Sequence, residues 1–259
     1  MIGIVDSGIG GFGVYREVKR LLPRARIVYV ADQAHFPYGE KTEAEIEQYL
    51  CGIIDIAVRN GAMMVIVACN SASVAALEYA RKKFNIPIVG TIPAIKPAVT
   101  TSHSQHIGVI GTPATITSAY YQNLIHEFGA ESTIIPLACP GLADTIERLE
   151  DPRERLETCL APLREPRVDT LVLACTHYPL IRDEIQEVMG KDVTLLDVSE
   201  AVARQAKHVF EAQTLDTDEE VGSDLFVTTG DARHFKKQIH EYGIDQCAVN
   251  GYSMEAVHP

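Results

Sequence analysis

The sequence lacks a membrane-length apolar run, a Cys-x-x-Cys pair and an excess of basic residues. No apolar stretch reaches the ~18 residues of a spanning helix, so no contact with a membrane is expected. The opening MIGIVDSGIGG has no basic n-region, so no signal peptide is expected and a cytoplasmic location is. Lysine and arginine number 23 against 35 acidic residues, a formal net charge of −12. Such a chain repels a phosphate backbone, which argues against nucleic acid as primary partner. It leaves room for a small anion, which a nest of backbone N–H groups can hold whatever the global field. None of the six cysteines joins a histidine at zinc-finger spacing, so no metal is expected. With no secretion signal, reduced thiols are expected. The glycines of DSGIGG are not spaced as G-x-G-x-x-G, and no acidic ribose partner follows, so they read as a tight turn that lets backbone approach a ligand. No lysine motif suggests pyridoxal phosphate, and no cofactor is expected.

What is present is a chain of 259 residues, 46% hydrophobic and 22% charged, the composition of a globular protein of one large or two ordinary domains. Short β-branched runs alternate with amphipathic stretches. MIGIVDSG, ARIVYVAD, AMMVIVACN and IPIVGTI read as strands; GVYREVKRLL, TEAEIEQYLCGIIDIAVRNG and SVAALEYARKKFN read as helices. This alternation implies βαβ units and a parallel sheet, and the continuous apolar runs suit strands covered on both faces. PAIKPAVTTSHSQ, residues 93–105, reads as a connection between domains. The pattern then restarts with HIGVIGTPAT, TSAYYQNLIHEFG, STIIPLACPG, TIERLE, DTLVLACTH, LIRDEIQEVMG, DVTLLDV and SEAVARQAKHVFEAQ. An acidic loop, DTDEEVGS, precedes a strand-turn, a helix and a last strand, CAVNGYSM.

The two halves repeat. GIVDSG and GVIGTP are 105 residues apart, YVADQAHFPYG and IIPLACPGLAD also 105, and Cys69 of VIVACN and Cys175 of LVLACT 106. A period of that length is a domain, not a solenoid repeat. Two pseudo-symmetric α/β domains are expected, with mainly parallel sheets flanked by helices. The expected boundaries are 1–96 plus 208–259 for the first and 97–207 for the second, with the active site in the cleft between them.

Ligands of open parallel sheets sit at strand carboxyl ends, near a topological switch point. Asp6, Ser7, Tyr38, Gly39, Cys69, Asn70 and Ser71 lie there in the first half, and Thr112, Thr115, Cys139, Cys175, Thr176 and His177 in the second. Two equivalent thiols around one carbon suit inversion of a stereocentre: one thiolate removes a proton from one face and the other thiol returns one to the opposite face. A thiol of pKa about 8.5 can be tuned to serve as base and acid near neutrality. Neighbouring donors on Asn70, Ser71 and Thr176, with the N-termini of the following helices, would favour thiolate and substrate carboxylates. Asp6 near Cys69, and His177 or Glu147 near Cys175, would tune the thiols or relay protons.

VDSGIGGFGV, FPYGEKT, VACNSAS, GVIGTPATI and LACTHYPLI, in this order, resemble the glutamate racemase family, over most of the chain from Gly3 to about Phe235. The resemblance implies cofactor-independent interconversion of L- and D-glutamate, supplying peptidoglycan, by a homodimer. It implies that Cys69 deprotonates D-glutamate and Cys175 L-glutamate. It places substrate contacts on Asp6, Ser7, Tyr38, Gly39, Asn70, Ser71, Thr176 and His177, an assisting acid at Glu147, and cleft-lining hydroxyls at Thr112 and Thr115. Ser71 stands where many members have threonine. CPGLADTIE is smaller and more polar than the usual segment, and TIPAIKPA replaces the usual linker. Regulation through an N-terminal extension is not expected.

Alternatives remain at this stage: a racemase for aspartate or another amino acid, a non-catalytic binding protein, or a thiol redox enzyme. A lone cysteine at a strand end is ordinarily a small core residue, and Cys51, Cys159 and Cys247 are read so. Asp6 alone could be a turn former, His177 alone a structural histidine or metal ligand. His35 stays undecided.

Overall fold

A computed structural model describes residues 1–129, 131–164, 167–213, 223–244 and 247–251. The acidic stretch 216–222, residues 252–254 of the last expected strand and the side chain of Cys247 lie outside the description. In chain order the elements are β1 (Ile2–Asp6), α1 (Phe12–Leu21), β2 (Ile27–Ala31), α2 (Glu43–Arg59), β3 (Met64–Val67), α3 (Asn70–Lys83), β4 (Ile88–Val89), α4 (Ile95–Thr101) and β5 (His106–Gly111). Then come α5 (Pro113–Thr117), α6 (Ala119–Phe128), β6 (Thr133–Ala138), α7 (Leu142–Glu147), α8 (Arg153–Leu160), β7 (Thr170–Ala174), α9 (Arg182–Met189), β8 (Thr194–Leu196), α10 (Ser199–Ala212), β9 (Asp224–Thr228), α11 (Ala232–Glu241) and β10 (Cys247–Gly251).

The chain divides into two compact units, Met1–Thr91 with Ser199–Pro259, and Ile92–Val198. Expected boundaries at 96/97 and 207/208 differ from these by five and nine residues. The second difference has a physical reason: α10 is one continuous helix that packs on α1, so 199–207 travel with the first unit.

The first sheet runs β10-β9-β2-β1-β3-β4 and the second β6-β5-β7-β8, every pairing parallel. The order β2-β1-β3-β4 of the first half is therefore repeated as β6-β5-β7-β8 in the second. Register corrects one detail of the sequence repeat. Gly3 pairs with Val28 and Val65, and Gly108 with Ile135 and Leu171. The first and third strands keep offsets of 105 and 106, but the second is offset by 107, not 105. Asp32 and Cys139 thereby become equivalent, each one residue past its strand.

Successive strand residues face opposite sides. In the first unit the row Val67-Val5-Val30-Val227 joins Ile46, Leu50, Ile53 and Ala76 of α2 and α3 in one buried cluster. The row Ile66-Ile4-Tyr29-Phe226 turns to the other side. There Phe12 and Phe235 pack on Tyr29 and Phe226, with ring centroids 5.2–6.3 Å apart. Gly11 is required by this packing: a Cβ there would fall 2.7 Å from the Tyr29 hydroxyl, so its small size serves the core.

Two expectations are overturned. Residues 93–105 contain the helix α4, which packs on α6 and β7 of the second unit, with Lys96 over the ring of Phe128. Pro97 is its third residue, and a proline in a first turn forfeits no helical hydrogen bond. Cys139 and Cys159 are not reduced thiols but a disulfide, with Cα atoms 5.7 Å apart, because α8 brings Cys159 to the end of β6. Cys51 is a buried thiol, as read.

Candidate active site

In each sheet the first strand lies between the second and the third, so the chain leaves it in opposite directions and opens a crevice at its carboxyl end. In the first unit that crevice receives the loops after β1, β2 and β3. Asp6 is fully buried and its Oδ1 accepts the Gly8 amide at 2.9 Å, so it does form the turn. The turn is pinned from behind by the Tyr29 hydroxyl, which donates to the Gly8 carbonyl at 2.8 Å. Ser7 Oγ lies 3.8 Å from Cys69 Sγ. Cys69 is the N-cap of α3, and its sulfur accepts the Ala72 amide at 3.5 Å. A sulfur at the start of a 14-residue helix sits at the positive end of the macrodipole, which favours thiolate.

Asn70 and Ser71 open the same helix and are buried. Both polar atoms of the Asn70 amide, Nδ2 and Oδ1, are buried with no hydrogen-bond partner among the described residues. An unpaired buried amide costs about 1–3 kcal/mol, so it is retained here for a ligand or against a penalty.

Tyr38 and Gly39 are the buried residues of a single turn, Tyr38–Glu40, preceded by a cis Phe36–Pro37 bond. The Tyr38 hydroxyl donates to Asp32 Oδ2 at 2.6 Å. Asp32 also accepts from Thr229 Oγ1 at 2.6 Å and contacts His35 Nδ1 at 2.9 Å. Burial, then Asp32, then Cys69 hold the Tyr38 phenol protonated far above its usual range. His35, stacked on Tyr49 at 3.9 Å, has its pKa raised by the bond to Asp32 and belongs to this support. Asp32 escaped the sequence reading. Its position just past β2 was the available signal.

In the second unit, Thr112 is the N-cap of α5 and binds Thr115, its Oγ1 donating to Thr115 Oγ1 at 3.1 Å and accepting the Thr115 amide at 3.3 Å. Cys175, Thr176 and His177 follow β7 and are all buried. His177 Nδ1 lies 4.0 Å from Cys175 Sγ and its Nε2 2.7 Å from Glu147 Oε2. Glu147 is the last residue of α7. Burial opposes the imidazolium, but the sulfur and the carboxylate outweigh it and raise the His177 pKa well above the ordinary value. Cys175, His177 and Glu147 thus form a line in which a held positive charge faces a sulfur. Tyr178, which sequence reasoning also missed, is fully buried, held protonated by burial and then by Cys175, and its hydroxyl reaches the Cys139 carbonyl at 3.4 Å.

Asp6, Ser7, Cys69, Asn70 and Ser71 therefore gather in the first unit. Cys175, His177 and Glu147 gather in the second. Among the described residues no group of three or more His, Cys, Asp or Glu could hold a metal ion, and no helix is long and apolar enough to cross a membrane.

The family model for Asp/Glu/hydantoin racemases matches residues 2–206. A glutamate racemase of Herpetosiphon aurantiacus is 39% identical over 241 residues, 91% of this chain and 95% of the relative. One from Pseudomonas aeruginosa is 38% identical over 83% of each chain. Among solved structures, glutamate racemase isoform RacE1 of Bacillus anthracis superposes with a TM-score of 0.87 at 31% identity, covering 98% of this chain and 97% of that one. The Escherichia coli glutamate racemase in complex with L-glutamate and the activator UDP-MurNAc-ala gives 0.86 at 30%, covering 96% and 97%.

Proposed function

The chain belongs to the Asp/Glu/hydantoin racemase family, and from that premise we propose that it interconverts L- and D-glutamate by passing the Cα proton between Cys69 and Cys175. The observation that carries the reading is the repeat itself. The two sulfurs follow equivalent strands at an offset of 106, and each has a polar neighbour, the Ala72 amide for Cys69 and the His177 ring for Cys175.

In the L-to-D direction the Cys175 thiolate takes the Cα proton and becomes a thiol. The electron pair left on Cα delocalises into the substrate carboxylate. Asn70, whose amide has no partner among the described residues, donates to that carboxylate, with Ser71 and Thr176 as the further donors of this reading. The Cys69 thiol then delivers its proton to the opposite face and is left as thiolate. The reverse reaction exchanges the roles. His177, held charged by Glu147, stabilises the Cys175 thiolate; the α3 N-terminus and Ser7 do this for Cys69. Asp6, Tyr38, Gly39, Thr112 and Thr115 shape the substrate site. Support for glutamate over aspartate comes from the relatives, which are named as glutamate racemases. The reading includes a cytoplasmic homodimer that supplies D-glutamate for peptidoglycan.

The test is incubation of L-glutamate and, separately, L-aspartate in D₂O without pyridoxal phosphate, followed by optical rotation and Cα deuterium. Inversion of glutamate with deuterium in the product is expected. Inversion of aspartate alone would move the activity to another substrate, and binding without exchange would end the catalytic reading.

A further inference from the structure

The mechanism leaves unused the only disulfide among the described residues and the cavity beside it. The cavity, about 620 Å³, lies within the second unit and is lined by Cys139, Pro140, Leu142, Thr158 and Cys159, among others, with one residue of each charge, Glu154 and Arg155. That volume suits a small organic molecule of a few hundred daltons. Both sulfur-bearing residues face it, Cys159 partly exposed and Cys139 buried. Arg155 crosses the Pro140–Gly141 turn: Gly141 has φ +73°, and a Cβ there would fall 2.7 Å from its Nη1. The guanidinium is placed to attract a carboxylate and to favour a thiolate released in the same cavity.

We infer that Cys159 is a thiol-exchange site, at which a low-molecular-weight carboxylated thiol entering this cavity opens the Cys139–Cys159 bond and loosens the hold of Glu147 on His177. The exchange balances. The incoming thiolate attacks the more accessible sulfur, Cys159, forming a mixed disulfide, and Cys139 leaves as thiolate. A second thiolate attacks the mixed disulfide, releasing the small molecule as its own disulfide and Cys159 as thiolate. Two external thiols are oxidised and one protein disulfide is reduced; a small disulfide drives the reverse.

The structural consequence follows from what the bridge ties together. Cys139 is the residue after β6, bound through its amide to the Gly111 carbonyl at 2.9 Å. Its carbonyl accepts from the Leu142 amide at 3.4 Å, at the start of α7, and from the Tyr178 hydroxyl. Glu147 ends that six-residue helix. The disulfide fastens this turn to α8, so α7 is clamped at its base by the bond and holds His177 at its tip. Cys139 and Cys159 are in this sense positioning residues.

The effect on rate rests on the racemase reading; the exchange does not. The full chain is equilibrated with reduced and oxidised glutathione at a series of ratios, quenched by alkylation, and mapped by peptide mass. The same samples are assayed for inversion in both directions across pH. The expected result is a bridged form, a glutathione adduct on Cys159 at intermediate ratios, and a reduced form about tenfold slower in the L-to-D direction, with its alkaline limb moved to lower pH. A displacement of about 1 Å in a site can cost 10²-fold, and a loosened clamp gives part of that. Cys159→Ser copies the reduced form and gives neither the bridge nor an adduct at position 159; if it fails to fold, the wild type at two poises gives the same comparison. Absence of both bridge and Cys159 adduct at every ratio, or equal rates and pH profiles for bridged and reduced protein, overturns the inference. If no amino acid is inverted at all, the mass map still reads exchange, so the two readings fail separately.

Discussion

Cys69 and Cys175 end equivalent strands of a repeated sheet, yet their surroundings are built differently. Cys69 is a helix cap whose sulfur accepts a backbone amide and lies beside a serine hydroxyl. Cys175 precedes only a short turn, Tyr178–Ile181, and draws on a side-chain pair, a buried imidazolium held by a buried carboxylate. The repeat thus preserves where the backbone delivers each sulfur and leaves open how its charge is stabilised. A backbone device works at every pH at which the fold persists. A histidine device works only while the ring keeps its proton. The two halves should therefore respond unequally to the same insult, and pH should expose the difference on the Cys175 side.

The most severe way to probe the comparison is to remove each sulfur. Cys69→Ser and Cys175→Ser should each lower racemisation by at least about 10³-fold, since a positioned acid–base group contributes 10²–10⁴ and serine is a far weaker acid than cysteine. Single-turnover Cα deuterium exchange distinguishes them: the Cys69 variant should still exchange L-glutamate and the Cys175 variant D-glutamate. Exchange of both enantiomers in either variant would contradict a division of labour.

His177→Asn comes next. Loss of the cation beside Cys175 should slow proton abstraction from L-glutamate about 10²-fold and abstraction from D-glutamate less, measured as kcat/KM in each direction. Equal losses would mean that the imidazole serves the whole site, not one sulfur. Glu147→Gln is milder, about tenfold, and its signature is the pH profile. The carboxylate helps hold the His177 pKa above its unfolded value of about 6.5. A raised pKa contributes stability fully present below that value and lost as pH rises through the folded pKa. With glutamine in place, the ring deprotonates at lower pH. The alkaline limb of the L-to-D rate should shift down, and the loss of thermal stability toward alkaline pH should flatten.

The same comparison shows what a sequence displays and what it hides. Strands covered on both faces are continuous apolar runs, so β1, β3, β5 and β7 stood out, and with them the cysteines and DSG and CTH loops at their ends. The offset of the second strands was read two residues short, because β6, with half-exposed Ile134, Ile135 and Leu137, is an edge without a sharp end. An error of two leaves every side chain on its proper face, so nothing in the alternation betrayed it. It did hide the equivalence of Asp32 and Cys139, and with it the carboxylate that anchors Tyr38. Helix α4 was missed because Pro97 reads as a breaker unless the first turn is recognised. The Cys139–Cys159 bond was out of reach: their 20-residue separation says nothing until the packing of α8 sets the distance. Cys175 to Glu147 spans two elements in the same way: Glu147 was set near Cys175 without a contact to show for it, and the resemblance to a family added its role as an assisting acid.

The smallest effect, and the sharpest for substrate binding, is expected at Asn70. Its amide is buried with neither end satisfied among the described residues, and a buried polar group left so costs about 1–3 kcal/mol. Asn70→Ala removes that penalty together with the donor. The melting temperature of the free protein should therefore stay level or rise, while KM for glutamate increases about fivefold in both directions, because the substrate carboxylate is common to both enantiomers. The stabilisation that added glutamate gives the wild type, measured by thermal shift, should shrink in the variant. A fall in stability with unchanged KM would mean that the amide serves the fold, and the carboxylate contact would then have to come from Ser71 or Thr176.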